Sequence, residues 1–194
     1  MKAKRKIVAS MIAVFLLLVS VITPAGLIKA EAKTKTRNVT VGGIVLKIPT
    51  VYKTNKDLDF NGYKLYMKST SSSDLSSGKI QYLCTMTMDM SKEEMNFSDT
   101  DLDTMASLIQ GSANSQTDKE GKIKNLKKKK IAGYQGLIFD YNVPTDKGSI
   151  RERALVIANK DSEKIVMVAA VESNGNGNSL KVINTIAKTA KKKK

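Results

Sequence analysis

The sequence predicts an α+β fold: one antiparallel β-sheet of about six or seven strands packed between helices, an α/β/α sandwich. Three observations predict it. Apolar residues alternate in several runs before and after one helical stripe. The links between the late strands are too short for a parallel crossover of about a dozen residues, so those strands run antiparallel. The last two, Ala154–Ala158 and Ile165–Val171, are apolar on both faces and need cover above and below.

The chain opens on Lys2, Lys4, Arg5 and Lys6, then an apolar run from Ile7 to Val21, then Pro24, Gly26 and the small-x-small triplet Ala30-Glu31-Ala32. That is the layout of a secretory signal peptide, and it is too short and too quickly broken to suit a membrane span. The expected organisation is a signal peptide over residues 1–32 cleaved after Ala32, a mobile leader over 33–38, a single domain over 39–190 and a lysine tail over 191–194. Removing 32 of 194 residues leaves 162, enough for one domain with its own core. The expected location is secreted or extracytoplasmic. Cys84 is the one cysteine, so no internal disulfide forms. No cysteine near the cleavage site offers a lipid attachment point, and release, or retention by charge alone, is expected.

Each element has its own signal. Val39 and Val41 alternate into Gly42-Gly43, and Ile44, Leu46 and Ile48 alternate out of it, a hairpin that Pro49 ends. A strand is expected at Tyr63–Lys68, a Ser-rich loop at 69–77, and a stronger strand with Ile80, Tyr82, Cys84, Met86 and Met88 on one face. Between Ser98 and Gln116 the period changes: Leu102, Met105, Ala106, Ile109 and Ala113 form a helical stripe. Ser98 is its expected N-cap, and Asp99, Asp101 and Asp103 suit the positive end of its dipole. Leu137, Phe139, Tyr141 and Val143 alternate, a turn follows over Pro144–Gly148, and the two apolar strands complete a meander. A closing helix from about Ser179 turns Leu180, Ile183, Ile186 and Ala187 inward.

Val39-Thr40-Val41-Gly42-Gly43-Ile44-Val45-Leu46-Lys47-Ile48-Pro49, with Tyr52 after it, resembles the opening hairpin of PsbP-like proteins. Ala132-Gly133-Tyr134-Gln135-Gly136 followed by Leu137–Tyr141 is similar to the hairpin that feeds their central sheet. The resemblance spans most of residues 39–190 and implies the PsbP-like α/β/α sandwich. That fold is shared by an extrinsic photosystem subunit, a nuclear-import factor and many exported bacterial proteins. It implies a mostly non-enzymatic family with no common catalytic site to carry over.

Composition narrows the chemistry. Histidine is absent, which removes Ser-His-Asp and Cys-His pairs, an imidazole base and His-ligated metals. One cysteine cannot build a thiolate zinc site. The remaining enzymatic options, a Ser with a Lys base or carboxylate pairs such as Asp99 and Asp103, have no supporting motif. No enzyme activity, no cofactor and no resident metal are expected. Cys84, Met86 and Met88 share one strand face, and as a soft-ligand line for Cu(I) they are the minor alternative to core packing.

Charge supplies the binding candidates. The chain carries +15, of which the signal peptide's five basic residues and one acid account for 4, leaving +11. Lys127, Lys128, Lys129 and Lys130 form the densest run, just before Ile131 and the Gly-x-x-Gly turn with Tyr134. They read as a solvated edge strand guarded against aggregation, or as a grip on an anionic polymer. Arg151, Glu152 and Arg153 open a later strand, with Asp140 on the polar side of the one before, and read as ordinary cross-strand pairs or as readers of a carboxylate or phosphate. The expected function is a secreted, non-enzymatic binding domain for an envelope protein or other envelope component. The alternative is an electrostatic binder of anionic wall polymer or membrane surface. A monomer is expected, and no nucleic acid, since Trp is absent and stacking aromatics are few.

Overall fold

The computed structural model describes residues 35–54, 63–68, 80–92, 102–115, 120–146, 148–175, 177–178 and 180–193. The expected signal peptide, the Ser-rich loop and the Ser98 cap with Asp99 and Asp101 lie outside the described residues. In chain order the elements are β1 (Thr36–Val41), β2 (Ile44–Pro49), β3 (Tyr52–Thr54), β4 (Lys64–Lys68), β5 (Ile80–Asp89), α1 (Leu102–Asn114), β6 (Lys122–Ile131), β7 (Tyr134–Thr145), β8 (Gly148–Asn159), β9 (Lys164–Ser173), α2 (Lys181–Thr189) and β10 (Lys191–Lys192). Seven strands make one sheet in the order β3-β4-β5-β9-β8-β7-β6, antiparallel throughout. β1, β2 and β10 make a second, three-stranded sheet.

The large sheet is covered on both faces, as the doubly apolar β8 and β9 require. On one face α1 packs Met105, Ile109 and Ala113 over Cys84, Leu137, Phe139, Val156 and Met167. On the other, α2 brings Ile183, Ile186 and Ala187, and β2 brings Ile44, Leu46 and Ile48, over Leu83, Leu155, Ile157, Val166 and Val168. Each such aliphatic side chain is fully or nearly fully buried, a stabilisation of about 1.5–3 kcal/mol apiece before the entropy of ordering the chain is counted.

The opening hairpin forms where expected, with φ +50° at Gly42 and +78° at Gly43, as a two-residue turn of this hand requires. It does not join the main sheet. It lies across the α2 face, and the chain returns after α2 so that Lys191 and Lys192 pair with Val45 and Ile44. Residues 36–38, expected in a mobile leader, are already strand, and Thr50 N–H bonds the Lys35 carbonyl at 2.7 Å. The lysine tail likewise contributes a strand, a pairing that two lysines cannot announce by periodicity. β3, three residues long, carries no period either. β7 and β8 run past the expected turn, with Pro144 opposite Ser149 and Thr145 opposite Gly148.

Candidate functional site

β6 is the terminal strand of the large sheet, and its outer edge pairs with no described strand. Its sequence, KIKNLKKKKI, does not alternate cleanly, because Ile123 and Leu126 are three residues apart. A bulge resolves the conflict. Lys124 pairs with Asp140 and Lys127 with Ile138, so Asn125 and Leu126 together oppose one residue of β7. Asn125 takes the left-handed φ of +55°, which Asn tolerates better than most side chains, and its Nδ2 donates to Asp140 Oδ2 at 2.7 Å. The extra residue lets Ile123 and Leu126 both pack into the α1-side core.

The same bulge sorts the lysines. Register places Lys122, Lys124, Lys127 and Lys129 opposite Asn142, Asp140, Ile138 and Gly136, all on the α2 face. Lys128 and Lys130 lie opposite Leu137 and Gln135, on the α1 face. The run expected as one unit is therefore divided between the two sides of the sheet. Arg151 and Arg153 alternate with Leu155 and Ile157 and share the α2 face with Lys127, Lys129 and Tyr134. Lys122 and Lys124, outside the expected run, complete the row.

Arg153 is already engaged. Its Nε and Nη2 donate to the two oxygens of Asp140 at 2.6 and 2.9 Å, a fork-to-fork pair that is 22% and 19% exposed. This bond to Asp140 raises the pKa of Arg153. Arg151 lies across from Glu172, whose carboxylate accepts the N–H of Gly177 in the lead-in to α2. Arg153 thus belongs to a cross-strand polar pair, while Arg151 shares only the register position opposite Glu172. By contrast Lys122, Lys124, Lys127 and Lys129 are exposed and form no ion pair with any described residue.

Where β6 turns into β7, residues 128–130 and 133–136 line an open groove of about 540 Å³. Gly136 lets the strands approach closely beneath it: a Cβ there would sit 2.9 Å from Ile131 Cδ1 and 2.9 Å from the Val156 carbonyl. Tyr134 forms its wall rather than a stacking surface, since the residue is only 8% exposed. The Tyr134 hydroxyl donates to Asp161 Oδ2 at 2.5 Å, and Lys192 Nζ lies 3.0 Å from the same oxygen and 4.3 Å from the ring centroid. Burial raises the Tyr134 pKa, as does its bond to Asp161, while donation from Tyr134 and then Lys192 holds Asp161 below the usual carboxylate range. The C-terminal lysines thereby meet the β6–β7 turn, bringing the two ends of the basic sequence to one corner.

The Cys84, Met86 and Met88 line does occupy one strand face, toward α1. Cys84 is fully buried, its Sγ donates to the Ala169 carbonyl at 3.7 Å, and burial pushes its thiol well above the ordinary value, away from the thiolate form. Glu152, which the sequence places in an ordinary cross-strand pair between Arg151 and Arg153, is instead 1% exposed. Alternation turns it to the α1-side core, opposite Tyr141 and Val171, and neither carboxyl oxygen has a hydrogen-bond partner among the described residues. Burial raises its pKa well above the carboxylate range. Only the depth of the core at β8 identifies this position, so no signal in the sequence marks it.

No protein-family model matches the sequence, and no curated protein matches it. Solved structures do match. Cyanobacterial PsbP (CyanoP) from Synechocystis superposes with a TM-score of 0.59 at 13% identity, over 89% of this chain and 99% of that one. LpqN of Mycobacterium tuberculosis, described as involved in cell envelope biogenesis, gives 0.48 at 10% identity, over 82% of this chain and 91% of its own. The Saccharomyces cerevisiae Ran-binding protein Mog1p gives 0.45 at 10% identity, over 78% and 84%. A seven-stranded antiparallel sheet between two helices, matched over nearly the whole length of CyanoP, gives this chain the PsbP-like fold.

Proposed function

We propose that this protein is an exported, non-enzymatic binding domain that attaches to an anionic component of the cell envelope through the basic rim made by β6, the β6–β7 turn and β10. The observation that carries this reading is the row of exposed lysines Lys122, Lys124, Lys127 and Lys129 on β6, which form no ion pair with any described residue, near a groove whose wall residue Tyr134 carries Lys192 over its ring. Unpaired charge at a sheet edge attracts counter-charge and steers its approach. Export rests on the layout of residues 1–32, and the non-enzymatic reading on the absence of histidine and of any catalytic motif. No described helix is long and apolar enough to cross a membrane, which fits attachment from one side.

The test is co-sedimentation of the full-length protein with isolated envelope at low and moderate salt. Binding should collapse as salt rises, and replacing Lys127, Lys128, Lys129 and Lys130 together with Gln should weaken it strongly. Retention that ignores salt and survives the substitutions would overturn the proposal and point to an uncharged protein contact.

A further inference from the structure

We infer that the α2 face of β6 is a track for a linear polyanion of the phosphodiester type, laid along the strand and held by Lys122, Lys124, Lys127 and Lys129. The inference rests on the anionic reading above and adds to it the shape of the ligand. Alternate residues of a strand lie about 6.7 Å apart, so the four lysines form a single file of about 20 Å. The file exists only because the bulge at Asn125 and Leu126 returns Lys127 to the face that Lys124 occupies. Without the extra residue, Lys122 and Lys124 would face the opposite side from Lys127 and Lys129.

The surroundings favour a chain over other anions. Asp140, the acid facing the row from β7, is bound by Arg153 and Asn125, and Asp161 at the far corner is bound by Tyr134 and Lys192. Neither Asp140 nor Asp161 is therefore free to compete for the four ammonium groups. A lone phosphate is far shorter than the file of about 20 Å and leaves most of its charge unmatched. A membrane surface calls for basic groups spread in two dimensions, whereas this row is one strand wide. Single-stranded nucleic acid would use exposed aromatic faces for stacking, and Tyr134 beside the row is buried with its hydroxyl engaged. Lysine suits phosphodiesters as a point charge, one ammonium per repeating unit.

The experiment measures binding of the full-length protein to synthetic glycerol phosphate oligomers (dimer, tetramer and decamer) by calorimetry across a salt series. Affinity should rise steeply from dimer to tetramer. Four neutralised phosphates on a single-stranded polyanion predict a log–log salt slope of about −2.8, or a loss of roughly fifty-fold between 50 and 200 mM salt. The decisive comparison removes equal charge from the two faces. Lys127→Gln with Lys129→Gln should halve the slope to about −1.4, while Lys128→Gln with Lys130→Gln should leave it near −2.8. Lys127→Arg with Lys129→Arg should restore tight binding. Equal losses for the two pairs, or affinity independent of oligomer length, would overturn the track while leaving a diffuse anionic surface standing. No binding to any oligomer, anionic vesicle or single-stranded DNA would overturn the anionic reading itself. Tighter binding to phosphatidylglycerol vesicles, or to oligo(dT) of equal charge, would replace the polymer with a membrane or a nucleic acid.

Discussion

Glu152→Gln should remove most of the pH dependence of stability between pH 5 and 7. Glu152 is 1% exposed, its carboxyl oxygens lack hydrogen-bond partners among the described residues, and burial raises its pKa well above that of an ordinary carboxylate. The titratable groups around it are Tyr63, Tyr82 and Cys84, each pushed upward mainly by burial and so neutral in this window, together with Tyr141 across the β7 pairing. In the unfolded chain Glu152 titrates near 4.3. Between that value and its native pKa the folded state holds a proton that the unfolded state has released, so this group's contribution to stability is fully present below the unfolded pKa and is lost as pH rises. The loss is about 1.4 kcal/mol for each pH unit between the unfolded and the native value.

The chain has no histidine, so no other side-chain type ordinarily titrates in that interval and the slope is easy to assign. The assay is urea unfolding at half-unit pH steps, read by circular dichroism. The wild type should lose stability with rising pH, Glu152→Gln should stay nearly flat, and the two should converge near pH 4. Parallel curves would refute the reasoning and mean that Glu152 finds a partner or reaches water. Glu152→Met, which fills the space without polar atoms, should exceed the wild type in stability at pH 7.

Three further predictions follow from the same contacts. Asp140→Ala leaves both Arg153 and Asn125 without their acceptor, and should cost roughly 1–2 kcal/mol in thermal or urea unfolding. Gly136→Ala drives a methyl against the Val156 carbonyl and Ile131, and should destabilise by about 1–3 kcal/mol, whereas Gly111→Ala on open helix surface should stabilise slightly. Tyr134→Phe removes the larger of the two bonds that depress Asp161, so a carbon-detected NMR titration should find the Asp161 midpoint moved up toward the usual value, with Lys192→Gln giving a smaller rise.

Local pattern made much of the fold legible. Gly42-Gly43 between alternating runs can only be a tight turn, the doubly apolar β8 and β9 demand two covering layers, and three-and-four spacing marks α1 and α2. A short polar strand such as β10 is different. Two lysines acquire strand geometry only because α2 delivers them beside β2, a contact between residues about 150 positions apart in sequence.

The candidate site divides along the same line. Composition already announces a basic protein with few catalytic options, and the lysine run on β6 is plain in the sequence. Which lysines share a face is not, because strict alternation assigns faces wrongly wherever a bulge intervenes. The structure separates Lys127 and Lys129 from Lys128 and Lys130, adds Lys122 and Lys124, and brings Lys192 to the same corner. Glu152 shows the converse: flanked by two arginines, it reads as surface, yet period-two geometry sends it into the core while its neighbours turn the other way. Sequence fixes residue type and period, but the environment of a charge depends on which strands lie beside it and on the layer above, and those are tertiary facts.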